Sequence, residues 1–509
     1  MKISKILIAN RGEIALRIIR TCKEMGIKTV ALCPIKGEES NFLETRFADE
    51  FYYLDRSGIL GYLDQKKIIQ IAKKAKVDAI HPGYGFLAEN GDFADLCHIN
   101  GIKFIGPSGN ILRKVGNKIE ARRIAKIVGC PLLPAINESL KNEKECFIVA
   151  KKIKSPFLLK AANGGGGIGI KVIEKIDKNE IFQSYRKLKR ESKNAFGSDE
   201  IFIEKFLPNA RHIEIQILGD GKGNVVHFGE RECSIQRRHQ KIIEEAPSLF
   251  LNEFLRKKIG RFAVKIGEYL KYEGLGTVEF LVDPKSKNFY FMEINPRLQV
   301  EHPVTELIYN IDLVEEQIKV AQGQKLNFNQ RKIKSYGWAM EFRINAEDAL
   351  NDFLPASGVI NDYLPPSGRG IEVHSFLHQG QVIFPYFDSL LAKLVVFGET
   401  RDMAIIRAKR ALDEFLIQGV PTLIPLHKAI LQNKNFIKGE ISTSFIKNEK
   451  ILNIIAKDQK KNLKLDNKQD LQIDKVSKED IAIFIAQVYF QINHKKNISP
   501  KSKNWRSII

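Results

Sequence analysis

The segment KAANGGGGIGIKVIEK, Lys160 to Lys175, sets four consecutive glycines and a fifth two residues later between two runs that both read as strands. From Gly164 it spells G-x-G-x-x-G, but a dinucleotide fingerprint needs a helix after the glycines to receive the pyrophosphate. Here IGIKVIEK alternates apolar and polar residues and is rich in β-branched side chains, so a strand follows. There is no GK[ST] to make a P-loop either. What remains is a hairpin with a side-chain-free tip. Gly165, Gly166 and Gly167 can lay backbone N–H groups against phosphate oxygens, which side chains there would prevent. A plain turn needs one or two glycines, not four.

A second hairpin lies in GLGTVEFLVDPKSKNFYFMEINPRLQVEHP. Runs from Gly276 to Asp283 and from Asn288 to Asn295 read as strands about a PKSK turn, with Glu279 nearly opposite Glu293 on one face. Two cross-strand carboxylates repel unless something neutralises them, and a hard cation such as Mg²⁺ or Mn²⁺ does so while also holding nucleotide phosphates. The polar parity continues through Asn295, Arg297, Gln299 and Glu301. If the backbone stays extended, these side chains point one way; the plainer alternative is a solvent-facing strand edge. A third cluster, ERECSIQRRHQKIIEEAP at 230–247, crowds arginines, a histidine and Lys241 into a short segment that is either an anion site or a basic loop.

The 509 residues suggest roughly two to four domains of ~100–200 residues, and 44% apolar content is that of a globular chain. KILIAN, a helical pattern closed by Gly26, then KTVALC make a strand, helix, strand unit of an open α/β sheet, with further strands at VDAIH and IKFIG. Residues 1–113 form this first domain. A second runs over 114–330, a third over 331–446, and the Lys-rich stretch from 447 to 509 reads as a linker with a short amphipathic segment, KEDIAIFIAQVYFQI. That tail is either a docking element or a dispensable extension. The start lacks the apolar stretch of a signal peptide and no later run approaches ~18 apolar residues, so a cytoplasmic protein without a membrane span is expected. The six cysteines form no C-x-x-C, which fits reduced thiols. A net charge of +21 invites a nucleic-acid reading, but the lysines are spread along the chain and no RRM, KH or zinc-finger pattern accompanies them.

Taken in order, IANRGEIALRI, HPGYGFLAEN, KAANGGGGIGIKV, ECSIQRRHQKIIEEAP, MEINPRLQVEHPVTE and EFRINAED resemble the biotin carboxylases of the ATP-grasp superfamily. The resemblance covers residues 1 to about 445. It implies an α/β and α+β multidomain fold, with an N-terminal open parallel sheet, a central ATP-grasp domain whose Gly-rich lid spans about 133–205, and a C-terminal mixed α+β domain. It implies ATP, with Mg²⁺ or Mn²⁺, and biotin as the carboxyl acceptor. By match of motifs, Lys118 and Lys160 contact the nucleotide phosphates, Glu204, Lys205 and Leu207 the adenine, and His212, Gln236 and His239 the ribose and phosphate region. Glu279, Glu293 and Asn295 hold metal. Glu301 matches the general base that deprotonates bicarbonate; Lys241, Arg297, Gln299 and the Val300 backbone hold that anion, and Arg343 stabilises the biotin enolate.

Ile168 departs from the pattern, since the family usually carries Arg or Lys there, although Lys171 keeps a charge nearby. No A-M-K-M-like biotinylation sequence occurs, so the expected partners are a carboxyltransferase subunit plus a separate biotin carboxyl carrier protein, and the resemblance suggests a homodimer. Two rival readings are another ATP-grasp ligase, joining a carboxylate to an amine, which has no need of RLQVEH and EFRINAED, and a basic nucleic-acid-binding protein.

Overall fold

The computed structural model describes residues 1–135, 138–163 and 169–457. The readings placed on Gly165, Gly166, Gly167, Ile168 and the segment at 478–492 lie outside them. Two units are distinguished, Met1–Leu452 and Asn453–Ile509, and the first carries the fold.

Its N-terminal part is a five-stranded parallel sheet of β1 (Lys5–Ile8), β2 (Lys28–Cys33), β3 (Glu50–Tyr53), β4 (Ala79–His81) and β5 (Lys103–Phe104), in the order β3-β2-β1-β4-β5. The near-continuous apolar run of β1 follows from burial on both faces. Ile6 and Ile8 enter one core with Ile14, Leu275 and Leu313, while Leu7 enters another with Ile68, Ile80 and Phe93. Strand β3, EFYY, has no counterpart among the expected strands. It is a four-residue edge with every second residue exposed, too short for its alternation to stand out.

The strand after the glycines is present as expected. β6 (Phe157–Ala161) pairs antiparallel with β7 (Ile170–Ile173), and on its other side with β8 (Ile201–Lys205). Helices Glu143–Ile153 and Lys178–Phe196 cover this small sheet through Val149, Ile181, Tyr185 and Leu188. The second helix begins at Asp177, whose carboxylate accepts the Glu180 N–H at 2.7 Å, and stops at Gly197 in the left-handed region.

The site is carried by an eight-stranded antiparallel sheet. It comprises β9 (Arg211–Asp220), β10 (Val225–Arg237), β11 (Gln240–Ala246), β12 (Glu273–Val282), β13 (Phe289–Asn295) and β14 (Trp338–Asn345), followed by Leu390–Gly398 and Ile371–Ser375. The order is β13-β12-β9-β10-β11-β14 and then those two strands. The sheet therefore runs unbroken across residue 330, because β11 pairs with β14 from Ile243↔Phe342 to Ala246↔Ala339. Alternation in β9 divides the faces: Ile213, Ile215 and Ile217 pack beneath helix Glu253–Leu270 with Ile259 and Ile266, leaving His212, Glu214 and Gln216 for the other face.

Two expectations are corrected. The polar alternation does not continue as a strand past Asn295: the chain leaves the sheet there and Glu301 caps helix His302–Tyr309 with φ −82° and ψ 16°. Pro296 cannot donate to a ladder, which ends the pairing. Nor is 230–247 a basic loop. It is the β10–β11 hairpin, with a two-residue turn at Arg238 and His239 in left-handed conformations (φ 49° and 66°). All six cysteines are buried and unpaired, and among the described residues no helix is long and apolar enough to cross a membrane.

Candidate active site

A cleft of about 510 Å³ opens over the polar face of the large sheet. Tyr84 and Gly85 follow β4, Lys118 opens helix Lys118–Ile127, Lys160 lies on β6, Lys205 and Leu207 stand at and just past the end of β8, and Arg343 comes from β14. His212, Gln236, His239, Lys241, Glu279, Glu293, Asn295, Arg297, Gln299 and Val300 make its floor.

Strand register builds that floor as a row. Glu293, Glu279, Glu214 and Arg231 are successive cross-strand partners on β13, β12, β9 and β10. Two bulges, each one extra residue, set what the row meets. The one at Met292 brings Glu293 opposite Glu279. The other shifts the register between Gln236↔Lys241 and Ile235↔Ile243, so that Lys241 and Glu244, three apart, share a face.

Lys241 is the hub. Its ammonium donates to Glu214 at 2.5 Å, to Glu279 at 2.9 Å and to Glu301 at 2.6 Å. Burial works against that charge, but the three carboxylates outweigh it and raise its proton affinity well above the usual lysine value. Burial likewise pushes the Glu301 carboxyl up, yet Lys241, Arg343 and Arg231 override it and hold Glu301 ionised well below the usual range. Arg343 Nη2 donates to the second Glu301 oxygen at 2.8 Å and its Nε to Glu244 at 2.6 Å. A buried carboxylate between two cations is a proton acceptor held in one orientation.

The anion side lies beside it. Arg297 is held by Glu89 through Nε at 2.5 Å and donates Nη1 to the Gln299 side-chain oxygen at 3.1 Å. That leaves Gln299 Nε2 buried with no acceptor among the described residues, a donor awaiting an oxygen. The Val300 carbonyl is taken by Lys393 at 2.9 Å.

Across the cleft, Lys160 and Arg122 both bind the buried Glu204 carboxylate. Glu204 is thus spent as an anchor for Lys160, and the cleft wall beyond it is Lys205, Phe206 and Leu207. Lys205 Nζ donates to the Lys154 and Ser155 carbonyls at 3.1 Å each. His212 Nε2 lies 2.9 Å from Glu279 and its Nδ1 2.6 Å from Gln236 Nε2; burial lowers its proton affinity but Glu279 raises it further. His239 is pushed down by burial and by the charges of Lys160 and His212. Lys118 lies 3.7 Å from Glu293.

For a metal, Glu279 and Glu293 fit: they are opposed across the hairpin at the cleft, and Glu293 also pairs with the Lys118 ammonium at 3.7 Å. Asn295 donates its amide to Glu279 at 2.8 Å, so its carbonyl oxygen stays available as a hard ligand. The Lys241 ammonium sits among the Glu214, Glu279 and Glu301 carboxylates and supplies their counter-charge.

Residues 2–112 match the biotin carboxylase N-terminal domain, 117–329 the ATP-binding domain of the carbamoyl-phosphate synthase L chain, and 341–448 the biotin carboxylase C-terminal domain. Biotin carboxylase 1 of Bacillus subtilis is 45% identical over 445 residues, covering 87% of this chain and 98% of that one. The chain belongs to the biotin carboxylase family. A biotin carboxylase of Nostoc is 46% identical over 88% of this chain and 99% of its own. The biotin carboxylase domain dimer of Hydrogenobacter thermophilus 2-oxoglutarate carboxylase, crystallised with MgADP, ADP and bicarbonate, has a TM-score of 0.86 at 42% identity, covering 89% of this chain and 99% of that one.

In this member of the family, several site residues escape motif reading. Glu214 and Gln216 carry a usable signal, polar residues alternating with isoleucine in HIEIQIL. Arg231 lies inside a quoted motif, yet only the structure shows that it is buried beneath Glu214 rather than facing an anion. Its neighbours Arg237 and Arg238 turn away to Asp352. Beneath β14, His427 Nε2 lies 2.7 Å from the Arg343 carbonyl oxygen and burial holds its imidazole down at about 4. The unfolded chain binds that proton near pH ~6.5, so the stability gained by burying a neutral ring is present above that pH and lost as pH falls toward about 4. The gap in thermal midpoint between wild type and His427→Gln should narrow between pH ~7 and ~5 in unfolding scans.

Proposed function

We propose that this chain catalyses the ATP-dependent carboxylation of biotin by bicarbonate, giving carboxybiotin, ADP and phosphate. The observation that carries the reading is the ionised Glu301 held between Lys241 and Arg343, near Gln299, whose amide has no acceptor among the described residues, with Lys241 joining Glu301 to Glu279 of the Glu279 and Glu293 pair. Bicarbonate is a weak nucleophile until it loses its proton. Arg297, Gln299 and Lys241 would hold its oxygens, a guanidinium fork suiting a planar anion, while Glu301 takes the proton. As bicarbonate draws Lys241 and Arg343 away from Glu301, the carboxylate becomes a stronger base at the moment it is needed. The activated anion attacks the γ-phosphorus of ATP, forming carboxyphosphate and releasing ADP.

Carboxyphosphate then breaks into CO₂ and phosphate, the phosphate takes the biotin N1′ proton, and the enolate so formed attacks CO₂. Arg343 would stabilise the enolate oxygen. Lys118 and Lys160 would bind the ATP phosphates, Lys205 and Leu207 the adenine edge, and His212, Gln236 and His239 the ribose and phosphates. Mg²⁺ or Mn²⁺ would sit on Glu279, Glu293 and Asn295 and neutralise phosphate charge. Glu279→Gln should raise the Mg²⁺ concentration for half-maximal ATP cleavage roughly tenfold or more, read from a metal titration.

The same reading divides the chain at about 113, 330 and 446, with a lid over about 133–205. It supplies two partners, a carrier protein bearing biotin and a separate carboxyltransferase. It also supplies a homodimeric state, which the dimer of the Hydrogenobacter relative supports. The test is ATP cleavage by purified protein with bicarbonate, with and without free biotin. A biotin-dependent rise and formation of carboxybiotin are expected; neither appearing would remove the reading.

A further inference from the structure

Two carboxyl groups with no solvent exposure face each other across β11 and β14: Glu244 and Glu341 are direct cross-strand partners. Glu244 is half satisfied. Its Oε1 accepts from Arg343 Nε at 2.6 Å and lies 2.5 Å from Nη2, while its Oε2 has no partner among the described residues. Glu341 is not satisfied at all, since neither of its oxygens accepts a hydrogen bond there. Lys393 on the next strand is committed elsewhere, to the Val300 carbonyl at 2.9 Å and Glu13 at 3.2 Å. A carboxylate left ionised in such a place is a buried charge with no donor, and paired like charges across a sheet repel.

We propose that Glu341 carries a proton and donates it as a hydrogen bond to the vacant Oε2 of Glu244, making Glu341 a positioning residue that fixes Glu244 and, through it, the Arg343 guanidinium. The vacant Glu244 oxygen and the unsatisfied Glu341 carboxyl complement each other once the latter bears hydrogen. The charged and titratable surroundings agree. Burial drives the Glu341 carboxyl well above its usual range, Lys393 and Arg343 pull it down, and Glu244 and Glu301 push it up. Helix His302–Tyr309, packed on β14, adds His302, which burial keeps neutral, and Glu306, raised to about 7 and paired with Arg17. On the opposite face Glu245 is neutralised by Arg401.

The consequence is geometric. Arg343 is shared between Glu244 and Glu301, and its Nη1 makes no hydrogen bond within the described residues. With Glu244 clamped, the guanidinium is kept from collapsing onto Glu301, and Nη1 stays uncommitted for substrate. This functional part rests on the assignment of Arg343 to the biotin enolate; the protonation state does not.

Infrared difference spectroscopy at pH 8 of wild type against Glu341→Gln reads the proton directly. A protonated-carboxyl C=O band present in wild type and missing from the variant is expected; no difference band overturns the proposal whatever the activity. Kinetics read the positioning. Glu341→Leu, which cannot donate, should lose about tenfold or more in kcat/KM for biotin, as a misplaced catalytic group does. Glu341→Gln, which keeps a neutral donor, should restore most of that loss. A glutamine variant as impaired as the leucine one would show that an ionised Glu341 is required, and an unimpaired leucine variant would show that Arg343 needs no clamp; either overturns it. Wild-type protein without biotin-dependent turnover would instead remove the proposed function and leave the infrared result standing.

Discussion

Replacing Glu301 by glutamine is expected to lower carboxybiotin formation by about 10²–10⁴-fold, the span of a lost general base, with nucleotide affinity held within a few-fold. Glutamine has the shape of glutamate and can still receive Lys241 at its carbonyl oxygen, but it cannot take a proton from bicarbonate. The ATP side is insulated, because Lys160 is anchored by Glu204 and His212 by Glu279, neither through Glu301. Lys241 keeps Glu214 and Glu279 as partners, so the floor need not collapse. Carboxybiotin formation and calorimetric binding of ADP, measured on the same preparation, separate the two effects. Retained carboxylation would place the base elsewhere; loss of both together would make Glu301 structural.

Arg231→Met is expected to remove about 3–5 kcal/mol of stability, the cost of breaking a buried ion pair from one side. Arg231 has no exposed surface, and four of its five N–H donors have acceptors among the described residues. Its Nε binds Glu214, Nη1 donates to Gln216 at 2.7 Å and Thr305 at 3.0 Å, and Nη2 to Thr277 at 3.0 Å. These acceptors sit on β9, β12 and the helix after Glu301, so one guanidinium ties the sheet to the segment that follows Glu301. Methionine fills the volume without donors, and Glu214, whose proton affinity burial and Glu301 already raise against Lys241 and Arg231, loses a counter-charge. Chemical denaturation of both proteins checks this. A difference of about 1 kcal/mol or less, that of an exposed pair, would show that Arg231 is dispensable to the fold.

Much of the cleft is legible in short stretches. Two strand runs about a four-residue turn predict Glu279 nearly opposite Glu293; a regular register would set Met292 there, and the bulge at Met292 makes the pairing direct. The strand after the glycines follows from IGIKVIEK alone. The reading fails where the backbone stops repeating. Beyond Asn295 the assumed extension breaks at Pro296, and Glu301 stands at the start of a helix instead of on a strand. Nor does motif order show that the Glu204 side chain is buried between Arg122 and Lys160, partners that lie 82 and 44 residues away.

By itself the sequence determined the local periodicities, the two hairpins, the helix starts at side chains such as Asp177, and, through motifs in order, the family resemblance. These depend on neighbours a few residues apart, where side-chain spacing and backbone sterics act directly. The tertiary structure alone decided that β11 continues into β14 across 99 residues between Glu244 and Arg343, that a bulge turns Lys241 and Glu244 to one face, and which carboxylate each cation serves. Such choices turn on strand register and on the cost of burying a charge without its partner, and both are set only when distant segments pack together.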